Sequence, residues 1–537
     1  MLRPLTRMLA PLTLLTVVLA VPIAAQGSNA GQRNLSLPGF TDALPENFRF
    51  VLLRSYLPTD GRNDVQLPTI SVKRNGQTTA LPECPWRTTS LSDFKQAERA
   101  IASEKFDIRD VVETIARIIK LRAVGPAPYC AWWFVVDNET FNIAFPDSNA
   151  TYWATPFIAD PDTELVIEGE YGDMRYMSLA VYDQNLNYYE YWPDTGGSCA
   201  NDAPVDCFGS YISDYQINPN DGSINPFQYA SGGPSDRYQV TITPNPQSPE
   251  YESPANVLPA LSSQSGCLPG QSCNDSDGDP PIGAENNLLN DHVGIFPAPC
   301  NFEGSPFTCS VEAMFSSPPT AIQSSVVSNP DNAYLPTWID ARDQIVPLDF
   351  QEPDKVFVIR GKLPKTPPGT SPVPWPNDDY DMRYWSICSA VYFVPYPTVE
   401  SDAACIADLD INRTNKAGQP KSNGNWFTII VSTRDARPDI DYAEVGANWL
   451  EATDLSRGIL ILRNMLPSEN FTKAAQNAPR DGSWISAFRT MGNYYPAITV
   501  ACNKQHLEEN GWGGCVAPKI PDTGGASGDT QEPGTAL

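Results

Sequence analysis

Two arginines carry the most suggestive chemistry in this sequence. Arg175 stands in Asp173-Met-Arg175-Tyr176-Met177-Ser178 and Arg383 in Asp381-Met-Arg383-Tyr384-Trp385-Ser386, each the lone cation of a mostly apolar run. On an alternating strand, Arg175 and Met177 share one face while Tyr176 and Ser178 share the other. A guanidinium placed this way can grip a carboxylate or sugar hydroxyls, or it can pair with an acid of the fold such as Asp162 or Asp354, or with loop carbonyls. Occurrence in both runs favours the scaffold role, because duplicates keep their framework and vary their sites. Trp192 and Trp375 join Arg175 and Arg383 as candidate ligand-binding residues, since indole rings stack on sugars and apolar ligands, with packing as the competing use.

Asp275-Ser-Asp277-Gly-Asp279 sets oxygen ligands at alternate positions, as a hard cation such as Ca²⁺ accepts. Glycine at the fourth position and the lack of an acid at the twelfth depart from an EF-hand loop. Asp408-Leu-Asp410-Ile-Asn412 is a weaker cluster of the same kind, and a solvated acidic loop competes in both places. Histidine is scarce: only His292 and His506 occur, which removes the usual base for most hydrolytic chemistry. No G-x-S-x-G elbow accompanies them, Ser92-Asp-Phe-Lys95 lacks the companion motifs of an S-x-x-K enzyme, and there is no phosphate-binding loop or H-E-x-x-H. No two of the 63 acids are singled out as a glycosidase pair.

The elements that must hold these residues are strands. From Cys130 onward, short β-branched and aromatic runs alternate with Pro, Gly, Asn and Asp clusters, and 52 prolines with 35 glycines exclude long helices from most of the chain. Between Leu91 and Arg122 the pattern turns helical: Val111, Val112, Ile115, Ile118 and Ile119 recur at three- and four-residue spacing, with Asp107 as a cap and Gly125-Pro126 as a stop. A helical insertion at 91–122 within a mainly β protein is expected.

An internal repeat sets the architecture. Pro161-Asp162 to Val166-Ile167-Glu-Gly169 matches Pro353-Asp354 to Val358-Ile359-Arg-Gly361, and the two arginine runs follow, with a proline-rich insertion, Lys365 to Pro376, in the second copy only. Asn149-Ala-Thr-Tyr152 resembles Asn332-Ala-Tyr334, and Ala255-Asn256-Val-Leu258 resembles Ala447-Asn448-Trp-Leu450. The second copy continues with Ile461-Leu-Arg463-Asn-Met-Leu466-Pro467 and Pro496-Ala-Ile498-Thr-Val500, whose counterparts lie at the N-terminus: Leu52-Leu-Arg54-Ser-Tyr-Leu57-Pro58 and Pro68-Thr-Ile70-Ser-Val72. The expectation is two tandem β-sandwich, jelly-roll-like domains, the first circularly permuted, with residues 48–57 pairing in the sheet that contains 164–182. The first domain spans 47–260 (strands from 47–84 and 150–260), a disulfide-rich connection 261–330, the second domain 331–517, and a disordered tail 518–537.

Arg3 and Arg7, the apolar run Leu9 to Ile23 and Ala24-Ala25 read as a signal peptide over 1–25, followed by a flexible segment 26–46, so export with no remaining transmembrane anchor is expected. In an oxidising compartment the twelve cysteines should pair locally, as Cys199 with Cys207, Cys267 with Cys273, Cys300 with Cys309 and Cys502 with Cys515, with Cys388–Cys405 and Cys84–Cys130 as further pairings. The net charge of −27 repels nucleic acid and anionic lipid and suits a solvated acidic surface.

The strand around Asp173-Met-Arg175-Tyr176-Met-Ser178-Leu-Ala-Val-Tyr182-Asp183, with Asn225-Pro226-Phe227 and Asp236-Arg237-Tyr238 behind it, resembles a group of exported bacterial proteins of unassigned function. That group carries an Arg-Tyr-x-Ser strand motif and a β-sandwich-like domain. The resemblance implies a fold and an exported setting but no reaction, and the second copy departs from it in lacking the Asn-Pro-Phe turn. Missing catalytic signatures favour a non-catalytic exported binding or surface protein that recognises a glycan, a lipid or a partner protein. The rival is a secreted hydrolase of carbohydrate or ester substrates with its site between the domains, and a third reading is a calcium-stabilised structural protein.

Overall fold

Strand burial follows from how many faces are covered. Thr69–Arg74 turns only Ile70 and Val72 fully inward, whereas all ten residues of Met174–Asp183 are buried. Such a strand reads as a near-continuous apolar run because both of its faces lie under other parts of the protein.

The computed structural model describes residues 47–59, 65–83, 130–132, 134–139, 142, 145–183, 190–191, 208–244, 256–260, 314–315, 329, 331–338, 354–391, 398–399, 401–416, 418–454, 458–479 and 484–512. The helical insertion expected at 91–122 and the tail from 518 lie outside them. The chain is mainly β. Its first half forms β1 (Phe48–Pro58), β2 (Thr69–Arg74), β3 (Gln77–Ala80), β4 (Phe134–Val136), β5 (Ala150–Ile158), β6 (Thr163–Glu170), β7 (Met174–Asp183), β8 (Glu190–Tyr191), β9 (Phe208–Gly209), β10 (Tyr211–Ser213), β11 (Arg237–Thr243) and β12 (Val257–Pro259). The second half forms β13 (Met314–Phe315), β14 (Asn332–Trp338), β15 (Lys355–Lys362), β16 (Met382–Val391), β17 (Cys405–Ala407), β18 (Trp426–Ser432), β19 (Asn448–Glu451), β20 (Gly458–Pro467), helix α1 (Trp484–Met491), β21 (Ala497–Asn503) and helix α2 (Lys504–Asn510).

Each half builds two large sheets, and the first adds the two-stranded pair β8–β9. The first half has the orders β10-β7-β1-β5-β4 and β12-β11-β6-β2-β3, the second β17-β16-β20-β14-β13 and β19-β18-β15-β21. Pairing is antiparallel except at β11–β12 and β18–β19, where a parallel edge strand is added in both halves. Within each half the sheets face one another over a core: Val51, Leu53, Leu179 and Val181 meet Ile70, Leu165, Ile167 and Val240 in the first, and Trp385, Ile387, Leu460 and Leu462 meet Phe357, Ile359, Phe427 and Ile429 in the second. At about 1.5–3 kcal/mol per buried large apolar side chain, these two cores outweigh any one cross-link.

The stretch 164–182 does not form one sheet as expected. It divides at Tyr171-Gly172, so that β1 pairs with β7 in one sheet while β2 pairs with β6 in the other. In the second half β20 likewise pairs with β16, and β21 with β15. The correspondence reaches single residues. Arg54 lies opposite Ser178 and Tyr152, and Arg463 opposite Ser386 and Tyr334. Leu57 and Leu466 both adopt positive φ, 49° and 47°, before a proline, and their N–H groups donate to Asn149 and Asp331 carbonyls at 2.9 Å. The matched glycines also have a shared cause: Gly169 faces Tyr238 and Gly361 faces Phe427 across the ladder, where an added Cβ would come within 3.0 and 2.9 Å of the ring.

Cys388 and Cys405, directly opposed on β16 and β17, form a disulfide, and Cys130 and Cys502 are each disulfide-bonded to a cysteine outside the described residues. The expected pairs at 199/207, 267/273 and 300/309 lie outside the described residues. No helix among the described residues is long and apolar enough to cross a membrane.

Candidate functional site

The Arg-Tyr-x-Ser runs meet each other rather than a ligand. Arg175 Nη1 donates to Asp408 Oδ2 at 2.6 Å, and Arg383 donates from Nη1 and Nη2 to the two oxygens of Asp214 at 2.7 and 2.9 Å. All four side chains are fully buried. Each arginine thus pairs with an aspartate of the other half, where Asp162 or Asp354 had been expected as partner; Asp162 instead pairs with Arg74. The tyrosines cross over in the same way. Tyr176 donates to Asp331 at 2.6 Å and Tyr384 to Asp147 at 2.8 Å, burial holding both phenols well above their usual range so that they remain neutral donors. Ser386 also donates to Asp147, and Ser213 to Asp331. Around these groups Tyr56, Tyr176, Trp375, Tyr384 and Met465 form an apolar cluster between the halves.

Trp375, expected to stack on a ligand, is only 5% exposed, and its backbone N–H donates to the Phe227 carbonyl at 2.8 Å. The second-half insertion Lys365 to Pro376 thereby docks on the Asn-Pro-Phe turn of the first half, and the Gly369 carbonyl accepts from Arg175. Arg175, Arg383 and Trp375 are therefore elements of an interdomain lock. Trp192, His292, Asp275, Asp277 and Asp279, and with them the expected Ca²⁺ loop, lie outside the described residues. The weaker cluster is spoken for within the fold: Asp408 takes Arg175 and Thr366, Asp410 accepts from the Ala407 N–H, and Asn412 bonds to Asn448 and Ala447. Asp147, Cys388 and Cys405 converge, but both sulfurs are committed to the disulfide.

The lock has a pH signature. Burial pushes the Asp214 carboxyl up to about 6, with Arg383 and the Met177 N–H pulling against it. A carboxyl whose value is higher in the folded protein than in the unfolded chain binds its proton more readily when native. Its contribution to stability is greatest below about pH 4 and is withdrawn as pH rises through about 6. Between pH 7 and pH 4 the melting temperature should therefore fall less steeply, or rise more, in the wild-type protein than in Asp214→Asn.

Beside the lock opens a cleft of ≈ 990 Å³. Asn138, Glu139 and Asn149 of the first half line one side, and residues around β17 and β19 line the other. The halves are tied to each other by further contacts, since the Ser148 N–H lies 3.2 Å from Cys405 Sγ, and Asn142 and Thr398 exchange hydrogen bonds at 2.5 and 2.8 Å. On the second-half wall, Arg434 forks onto Glu451 at 3.0 and 2.8 Å. The Arg437 guanidinium lies 4.3 Å from the Trp449 ring centre and 5.3 Å from that of Tyr442, and Trp449 Nε1 donates to Ser432. Asp402 and Asp410 are exposed on the same cleft.

Register separates scaffold from site here. Asn256 and Asn448 both follow the strand β11 or β18 in parallel, and both accept an N–H from an asparagine two residues beyond Gln216 or Asp410, Asn218 at 2.7 Å and Asn412 at 2.9 Å. That amide pair belongs to the fold. The next positions differ: Val257 and Pro259 in the first half stand where Trp449 and Glu451 stand in the second. Sequence reasoning missed the cleft because Trp449 and Glu451 look like ordinary strand residues. A signal for the lock was present, however, since Ile212-Ser-Asp214-Tyr-Gln-Ile217-Asn218 matches Ile406-Ala-Asp408-Leu-Asp-Ile411-Asn412.

No family model matches the chain, and no curated protein matches it. A solved structure of an uncharacterized protein from Burkholderia cenocepacia is similar at 13% identity and a TM-score of 0.30, over 71% of this chain and 92% of that one.

Proposed function

We propose that this chain is an exported, non-catalytic carbohydrate-binding protein made of two copies of one sandwich-like domain, the first circularly permuted. The matching strand orders support the duplication, with β1 and β2 supplied from the N-terminus of one half where β20 and β21 come from the C-terminus of the other. The basic and apolar N-terminal run supports export. The observation that carries the binding role is the cleft wall. The second domain places an indole and a carboxylate, Trp449 and Glu451, where the first domain folds with Val257 and Pro259. Amides, carboxylates and guanidinium groups around an aromatic side chain suit a hydroxyl-rich ligand, whose polar edge needs hydrogen bonds and whose ring face needs a flat apolar partner.

Thermal-shift and calorimetric titration of the mature protein with a panel of soluble oligosaccharides tests this. At least one oligosaccharide should stabilise the protein by mass action, and Trp449→Val, which installs the first-domain residue, should weaken its binding by about tenfold or more, equivalent to ~1.4 kcal/mol. Stabilisation by lipid vesicles or by a protein partner, with none from any sugar, would overturn the carbohydrate reading. One observation favours hydrolysis as a second reading: partial burial raises the Asp410 carboxyl above its ordinary range, and it shares the cleft with a second carboxyl, Glu451. Release of reducing ends from a bound oligosaccharide, lost in Asp410→Asn, would establish it.

A further inference from the structure

Gln216 and Asp410 do one structural job with different charge. Gln216 Oε1 accepts the Ser213 N–H at 3.0 Å, and Asp410 Oδ2 accepts the Ala407 N–H at 3.3 Å, each three residues beyond the donor at the end of an edge strand. The two residues occupy the same place in Ile212 to Asn218 and Ile406 to Asn412. A neutral amide therefore suffices for the turn. The acid in the second domain is held at a disadvantage, because partial burial disfavours its charged form. A charge that the fold does not need and does not favour points to a use outside the fold.

The surroundings define the sign of that use. The Arg434 fork is occupied by Glu451, and Arg437 is laid on the rings of Trp449 and Tyr442. Asp402 and Asp410 make no ion pair among the described residues, although both line the cleft. Of the charges on this wall without an ion pair among the described residues, the two carboxylates outnumber the one guanidinium, Arg437, and the chain's net charge of −27 adds a field of the carboxylates' sign. Resting on the carbohydrate-binding reading above, we infer that the cleft selects an ammonium-bearing oligosaccharide, a glucosamine-type sugar with a free amine, and that Asp410 is the residue that selects it. An ammonium donates charge-assisted hydrogen bonds to a carboxylate, whereas the acetylated amine of the same sugar carries no charge to pair with it.

The two sugars provide the test, since a glucosamine tetramer and an N-acetylglucosamine tetramer share a backbone and differ in charge. In calorimetric titration of the mature protein at 50 mM salt, the glucosamine tetramer should bind about tenfold more tightly, and the advantage should shrink at 500 mM salt as screening increases. Asp410→Gln, the first-domain residue, should keep the wild-type melting temperature within a few degrees and remove most of that preference, and Asp402→Asn should reduce it. Equal binding of the two tetramers by the wild-type protein, or equal weakening of both by Asp410→Gln, would overturn the inference. If Trp449→Val still abolished both interactions, the carbohydrate reading would stand without it. Failure of both tetramers and of every other oligosaccharide to bind would overturn the two together.

Discussion

Arg383→Met should lower the unfolding free energy by about 3–5 kcal/mol, because it strips a fully buried carboxylate of the arginine that pairs with it. Asp214 would keep the N–H groups of Met177 and Tyr215, at 2.7 and 2.6 Å, but lose both guanidinium donors. The guanidinium also lies against Tyr176, Phe227 and Trp375, at 4.9–6.0 Å from the ring centres, so the site is closed to water that might replace it. Arg383→Lys should recover only part of the loss, since an ammonium cannot fork onto both oxygens. The double variant Arg383→Met/Asp214→Leu should be less damaged than Arg383→Met alone, as removing both partners leaves no orphaned charge. Urea denaturation of the four proteins measures all of these; a loss below 1 kcal/mol in Arg383→Met would mean that the pair is solvated in solution and does not lock the domains.

Asp147→Ala should be comparably severe, about 3–5 kcal/mol, and should change the shape of the transition. One oxygen of Asp147 accepts from Tyr384 at 2.8 Å and Ser386 at 2.6 Å, and lies 3.8 Å from Arg463 Nη1. Alanine leaves two hydroxyls and a buried guanidinium facing a small void. The contacts to Tyr384, Ser386 and Arg463 join the two halves, while those of the other oxygen to Asn149 stay within one loop, so each half retains its own core and should melt on its own. Calorimetry should resolve two transitions where the wild-type protein shows one. A single, uniformly lowered transition would assign Asp147 to the stability of one domain instead of to the junction.

The sequence discloses what repeats and what alternates. The matched glycines, the paired arginines, the N-terminal counterparts of Ile461 to Pro467 and the Cys388–Cys405 pairing are all visible without coordinates, because strand periodicity and repeated runs are patterns of the sequence itself. The partners across the junction are not. Asp147-Ser-Asn149 and Asn329-Pro-Asp331 fill corresponding loops with acid and amide in exchanged order, so alignment sees two mismatches where the structure has an aspartate reaching a tyrosine each time. The cleft was hidden for a similar reason. Trp449 and Glu451 matter by contrast with Val257 and Pro259, and that contrast acquires meaning only when register shows which positions face a cavity and which, like Asn412 and Asn448, hold a turn.

The placement of β1 and β20 bears on how the chain can be made. Both are the middle strand of a five-stranded sheet, yet β1 precedes every other described strand and β20 follows all of them but β21. The first domain must keep β1 waiting until Ala150–Ile158 and Met174–Asp183 arrive to flank it, and the second cannot fill the centre of its sheet until Pro467 has been synthesised. Closing such distant pairings is slow, since the entropy of long loops is lost before the contacts form. Built in this order, the first half cannot complete its five-stranded sheet before Ser213 is made, nor the second before Pro467, so each half waits on a strand far from its first.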